Sequence, residues 1–207
     1  MDVLQPSLSS ELIEELALLL DAGGAGGGVM SPSVYETAQS LRFFPPRNPA
    51  PVLQWLLQQQ KQDGGWDESP LPLYRITPTL AATLALHQYD QDGRYQQHIE
   101  AGLTYLNSLP SSCLKPLPNI IPVAFELIAP RLLLDAQRAG LQLGIEPFAG
   151  VIAAGEKRRK RMAAMPTPEA NSPLFASWEA WGQTPTASDV TEAGGVGHSA
   201  AATSYWL

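Results

Sequence analysis

Trp55-Leu56-Leu57-Gln58-Gln59-Gln60-Lys61-Gln62-Asp63-Gly64-Gly65-Trp66 is the stretch whose reading decides the fold. Val52, Trp55, Leu56 and Gln59 recur at helical spacing, which predicts a helix over Pro51 to Lys61. Asp63-Gly64-Gly65-Trp66 then ends it in a tight turn. An aromatic and an aliphatic residue pack the helix end into a core. Gln60 falls near the helix C-terminus, where carbonyls lack partners, and its amide can both donate and accept there. Gly64 suits a left-handed cap, and Trp66 returns to cover the glutamine.

The same helical period runs outward in both directions. Ser9 or Ser10 can cap a helix to about Ala22, with Leu12, Ile13, Leu16, Leu19 and Leu20 on one face. Gly23 to Gly28 breaks it; no Gly-Lys-Ser/Thr follows and no strand precedes, so the run reads as a flexible crossover rather than a phosphate loop. Further helices are expected from near Pro32 to Leu41, Pro78 to Tyr89, Tyr95 to Leu109 and Pro122 to Gly140, the last kinked at Pro130. Weaker patterns cover Glu146 to Ala164 and Pro173 to Trp181, and a final helix opens near Ser199. No strand-length alternation occurs, and the 19 prolines and 17 glycines sit mostly between helices, which suits stacked helical hairpins. The expected class is all-α.

Bulk properties narrow the function. A net charge of −7 argues against broad affinity for nucleic acid or anionic lipid. Lys157-Arg158-Arg159-Lys160-Arg161 is a local exception, either a phosphate-binding or localisation patch or the solvated face of a helix. Cys113 is the single cysteine, so no intrachain disulfide and no thiolate metal cluster can form. His87, His98 and His198 lack ligand spacing for zinc. No apolar run approaches the ~20 residues of a transmembrane segment, and Met1 to Leu20 is a poor signal peptide, so a cytoplasmic protein is expected.

The Trp55–Trp66 pattern resembles the QW repeat of squalene–hopene and related terpene cyclases. Weak echoes follow: Ala101-Gly102 with Tyr105-Leu106 resembles its front half, and Gly194-Gly195-Val196-Gly197 its back half, with valine for tryptophan. Ser33-Val34-Tyr35-Glu36-Thr37-Ala38 resembles the Ser-x-Tyr-Asp-Thr-Ala segment of class II diterpene cyclases, with Glu36 for aspartate. Pro122 to Leu127, followed by Pro130, resembles a helix of bacterial members. Gly194 to Thr203 resembles the family's Asp-Gly-Ser-Phe-Gly-Asn-Ser-Pro-Ala-Ala-Thr segment; Ala193, Gly195, Val196, His198 and Ala200 depart from it.

The resemblance implies an αα-barrel of the terpenoid cyclase/prenyltransferase toroid type, incomplete at its C-terminal end. Residues 1–28 would be an N-terminal helix and crossover that packs on the family's β domain. Residues 29–207 would be the γ domain, ending inside a helix. The partner implied is a β domain, in the same chain beyond residue 207 or on a separate polypeptide. The implied activity is cyclisation of a polyprenyl diphosphate or a prenylated aromatic, begun by protonation of an alkene or epoxide. The family's acid is the middle aspartate of Asp-x-Asp-Asp. Here only Asp90-Gln91-Asp92 begins correctly, Gly93 takes the fourth place, and the segment reads as a turn between helices. Catalytic residues are therefore none, and the chain is expected to be inactive alone. A non-catalytic interaction module, or a relic of a cyclase, is the alternative.

In the family the cavity lies between two barrels, which makes Tyr35, Glu36 and Trp66 candidate wall residues, each alternatively a plain core or hairpin residue. Trp55, Gln60, Gly64 and Trp66 are the structural QW set. Asp67-Glu68 is a candidate for magnesium binding toward a diphosphate, or an exposed acidic loop. Glu126, between Phe125 and Leu127, is a candidate buried carboxylate or helix cap.

Overall fold

A computed structural model describes residues 18, 32–110, 114, 121–166, 172–181, 190 and 194–207. The expected first helix and glycine crossover lie almost entirely outside the described residues, as does Cys113. Ser33–Leu207 forms one compact unit. In chain order its helices are α1 (Val34–Phe43), α2 (Ala50–Gln58), α3 (Pro72–Tyr89), α4 (Gln96–Ser108), α5 (Phe125–Arg138), α6 (Ala149–Ala163) and α7 (Ala200–Trp206). Two 3-10 segments, Glu146–Phe148 and Pro173–Ala180, complete the described order. Among the described residues there is no strand, only the isolated bridges Gln60–Trp66 and Val196–Ser199.

α3 is the hub. It packs against α1, α4 and α5, and its residues from Pro78 to Leu86 are all buried. The expected start of this helix is corrected: it begins at Pro72, and Pro78 lies in its interior. An internal proline costs ~3 kcal/mol, so burial of the surrounding face must outweigh it. Leu73 and Ile76, one turn earlier, enter the same core and extend the helix backward.

The decisive turn folds as its residue types dictate. Gly64 has φ +89°, and a Cβ there would sit 2.3 Å from the Ala101 carbonyl oxygen of α4, so the position needs glycine twice over. The Gln60 Nε2 donates to the Gly64 carbonyl at 2.8 Å and to the His98 carbonyl at 2.9 Å, tying the end of α2 to the first turn of α4. The Trp66 indole N–H donates back to the Leu56 carbonyl at 2.8 Å, and its backbone N–H to Thr79 Oγ1 at 2.9 Å. One tryptophan thereby joins α2 to α3.

The C-terminal echo repeats this device. Val196, fully enclosed, donates its N–H to Thr203 Oγ1 at 2.9 Å, as Trp66 does to Thr79. It belongs to a small apolar cluster with Phe175, Trp178 and Ala202. α7 packs on both α1 and the Pro173–Ala180 segment.

α5 and α6 meet unusually closely. Pro130 lies inside α5 and has no N–H, so the Glu126 carbonyl loses its intrahelical partner. That carbonyl faces Gly155 of α6, where a Cβ would lie 2.2 Å from its oxygen and 2.9 Å from Pro130 Cγ. A side chain at 155 would force the helices apart.

Candidate functional site

α5, α6 and the Pro173–Ala180 segment enclose a cavity of about 360 Å³. Leu127, Met162, Met165, Leu174, Phe175, Trp178 and Trp181 make its apolar wall, and among the described residues Arg159 is the charged one that lines it. Ser172 starts the 3-10 segment by accepting the Leu174 N–H at 3.3 Å, and Ser177 leaves helical geometry at φ −123°. This break lets three aromatic rings gather. Trp178 and Trp181 stack with centroids 4.8 Å apart and planes 20° off parallel, and Phe175 lies 4.5 Å from Trp178. The Trp178 indole N–H is buried and makes no hydrogen bond. The arrangement can take a slender apolar ligand, a hydrogen-bond acceptor beside Trp178, and an anionic group at Arg159.

Glu179 stands on the same segment, between the two tryptophans in sequence, and is 1% exposed. Tyr35 of α1 donates its hydroxyl to Glu179 Oε1, while Oε2 makes no hydrogen bond. Burial pushes the Glu179 carboxyl up to about 7; the nearby Glu36 adds to the rise, and the Tyr35 hydroxyl and Arg131 oppose it. Burial, then the Glu179 charge, raise the Tyr35 hydroxyl well above its ordinary range. Gln39 donates to the Tyr35 oxygen at 3.4 Å, and Arg42 donates to Gln39 and to Asp135 at 2.7 Å each. Arg131 reaches the other oxygen of Asp135 at 3.1 Å. Tyr35, Gln39 and Arg42 share one face of α1, so this polar chain runs from Glu179 across α1 to α5.

The residues singled out from the sequence fall as follows. Tyr35 anchors Glu179. Glu36 accepts from Ser199 Oγ at 3.2 Å and from the Ala201 N–H, capping α7. Neither lines the cavity. Trp66 is 0% exposed and is core rather than wall, because its ring fills the space between α2, α3 and α4. Asp67 closes its own turn by accepting the Glu68 and Ser69 N–H groups, and Glu68 pairs with Lys61 at 2.6 Å. Both carboxylates are thus engaged at the surface, and among the described residues no three His, Cys, Asp or Glu side chains converge on one point.

Glu126 is half-buried in the first turn of its own helix, where the N-terminal dipole favours a carboxylate. The buried acid is Glu179 instead, which sequence reasoning missed; its one signal was a lone acid between Trp178 and Trp181. Asp90 accepts the Tyr95 N–H at 2.8 Å and Asp92 pairs with Arg94, as expected of a turn. The basic run occupies α6: Lys157, Lys160 and Arg161 are exposed, whereas Arg158 and Arg159 are half-buried.

Over 95% of its length the chain is 35% identical to the (+)-kolavenyl diphosphate synthase of Herpetosiphon aurantiacus, covering 40% of that protein. It is also 36% identical, over 64% of its length, to the labda-7,13-dienyl diphosphate synthase of Streptomyces clavuligerus, covering 26% of that protein. The chain belongs to the class II diterpene cyclases. The ent-copalyl diphosphate synthase from Streptomyces platensis superposes on 94% of this cyclase-family chain with a TM-score of 0.63 and 26% identity, using 42% of its own length. Abietadiene synthase from Abies grandis covers 85% with a TM-score of 0.71 at 24% identity, using 25% of its own chain, and supports the helical toroid fold. No family model matches the sequence. The cyclase-family chain thus spans about 40% of the length of the kolavenyl relative. No helix among its described residues is long and apolar enough to cross a membrane.

Proposed function

We propose that the chain is the γ-type helical domain of a protonation-initiated cyclase, bounded at about residue 29 and preceded by a helix that packs on a β domain. The β domain supplies the Asp-x-Asp-Asp acid, and this chain supplies one wall of the binding space. The observation that carries the reading is the cavity itself, a stack of Phe175, Trp178 and Trp181 facing methionines and leucines, with Arg159 at its edge. Such a surface matches a polyprenyl chain ending in a diphosphate: the rings give polarizable contact along the chain, and the guanidinium meets the anion. Aromatic π faces also favour a carbocation formed beside them. Alkene protonation needs a strong acid shielded from water, and the neutral Glu179 is far too weak an acid for it. Catalysis therefore requires the β domain. Magnesium would accompany a diphosphate substrate, and Asp67 and Glu68 remain the carboxylates proposed to meet it. A cytoplasmic site of action fits the composition.

The test is titration of the chain with geranylgeranyl diphosphate while following tryptophan fluorescence. A structure neighbour, the ent-copalyl diphosphate synthase of Arabidopsis thaliana, was solved with an aza-dihydrogeranylgeranyl thiolodiphosphate, which motivates the choice of ligand. Saturable quenching, weakened about 10-fold by Arg159→Ala, is expected. No saturable change, or an unchanged affinity in the variant, would overturn the assignment of the cavity.

A further inference from the structure

We infer that Glu179 is a positioning residue for the aromatic wall, its neutral carboxyl clasped by Tyr35 to hold Trp178 and Trp181 in place and its ionisation loosening them. The inference rests on the proposed function only for its consequence, control of ligand binding by pH; the anchoring itself stands on geometry.

Three observations converge. Glu179 is enclosed, and its Oε1 takes the Tyr35 hydroxyl, a link between residues 144 apart in sequence that fixes the Pro173–Ala180 segment to α1. Its Oε2 has no hydrogen-bond partner, so that oxygen has no donor to stabilise the charge of an ionised carboxylate. The charged groups around it are poorly matched to an anion. Glu36 of α1 is a second carboxylate nearby, already committed to Ser199 and the Ala201 N–H, and it repels the charge. Arg131 of α5 attracts it, but that guanidinium is bound to Asp135. The titratable ring of α7, Tyr205, meets Phe43 and Arg131 rather than Glu179.

An ionised Glu179 must therefore gain water or move outward. Trp178 and Ala180, its sequence neighbours, are buried in the clusters beneath the cavity, so they cannot stay fixed while it does. Burial already places the carboxyl at the edge of ionisation near neutrality, which makes the displacement accessible without unfolding.

The experiment is fluorine NMR of the full chain labelled with 5-fluorotryptophan, without ligand, from pH 5.5 to 8.5. Resonances of Trp178 and Trp181 are assigned with Trp178→Phe and Trp181→Phe. Both should shift through one transition centred near pH 7, absent in Glu179→Gln, which keeps the low-pH positions. Tyr35→Phe removes a hydrogen bond that favours the anion, and should raise the midpoint by about half a unit or more. A transition that survives Glu179→Gln, a Tyr35→Phe midpoint that does not move, or no transition in the wild type would each overturn the inference. Because no ligand is present, failure here is separable from failure of the cavity to bind a prenyl diphosphate.

Discussion

At the scale of single residues, the fold depends on a few positions where chemistry admits one answer. Gly64→Ala forces a side chain into φ +89° and onto the Ala101 carbonyl, and should cost on the order of 3 kcal/mol in urea unfolding. Glu179 sets a pH dependence whose direction follows from its environment. Its carboxyl lies higher in the folded state, at about 7, than its ordinary 4.5, so the neutral form stabilises the fold. That contribution is complete below 4.5 and declines as pH rises through 7. Between pH 5.5 and 8.5 the loss amounts to roughly 2 kcal/mol. Urea unfolding at the two pH values should show it in the wild type and a much smaller difference in Glu179→Gln. The two residues differ in legibility for a physical reason. Gly64 acts within a turn, and its spacing from Gln60 and Trp66 is local. Glu179 derives its character from Tyr35, Glu36 and Arg131, which the chain brings together only on folding.

At the scale of elements, periodicity located every described helix, and the errors fell where tertiary contacts outweigh local preference. Pro78 reads as a helix start, yet α3 runs through it because Leu73 and Ile76 belong to the same buried face. Glu126 reads as buried from its apolar neighbours, but its helix begins at Phe125, which leaves it half-buried in the first turn while Phe125 and Leu127 take the core. Trp66 is a candidate wall residue only through the family's cavity between two barrels, and the sequence does not show which way its ring turns; the ring enters the core. α7 tests how elements are joined. Glu36→Ala removes the acceptor for Ser199 Oγ and the Ala201 N–H, a loss of about 1–2 kcal/mol. Hydrogen exchange should accelerate in α7 well before α3; uniform acceleration would mean the contact does not specifically dock this helix. Gly155→Ala should separate α5 from α6 and enlarge or collapse the cavity they wall, read as a lower melting temperature and altered Trp178 and Trp181 resonances.

At the scale of the whole molecule, the QW device and its Gly194–Gly197 echo made the toroid fold legible because each is a local pattern, and in the structure each ties its turn to the following helix by a backbone-to-threonine bond. The cavity was not legible: its wall comes from α5, α6 and a 3-10 segment, and the basic run of α6 that supplies Arg159 gave no sign of the apolar wall beside it. A cavity without an Asp-x-Asp-Asp acid defines the central claim, that this chain binds but cannot by itself cyclise. The direct measurement is product analysis after incubating geranylgeranyl diphosphate with the chain alone, with the part of the Herpetosiphon relative outside the matched 40% alone, and with both. Cyclised diphosphate is expected only from the combination. Product from the chain alone, or none from a combination whose two parts are each folded, would contradict the account.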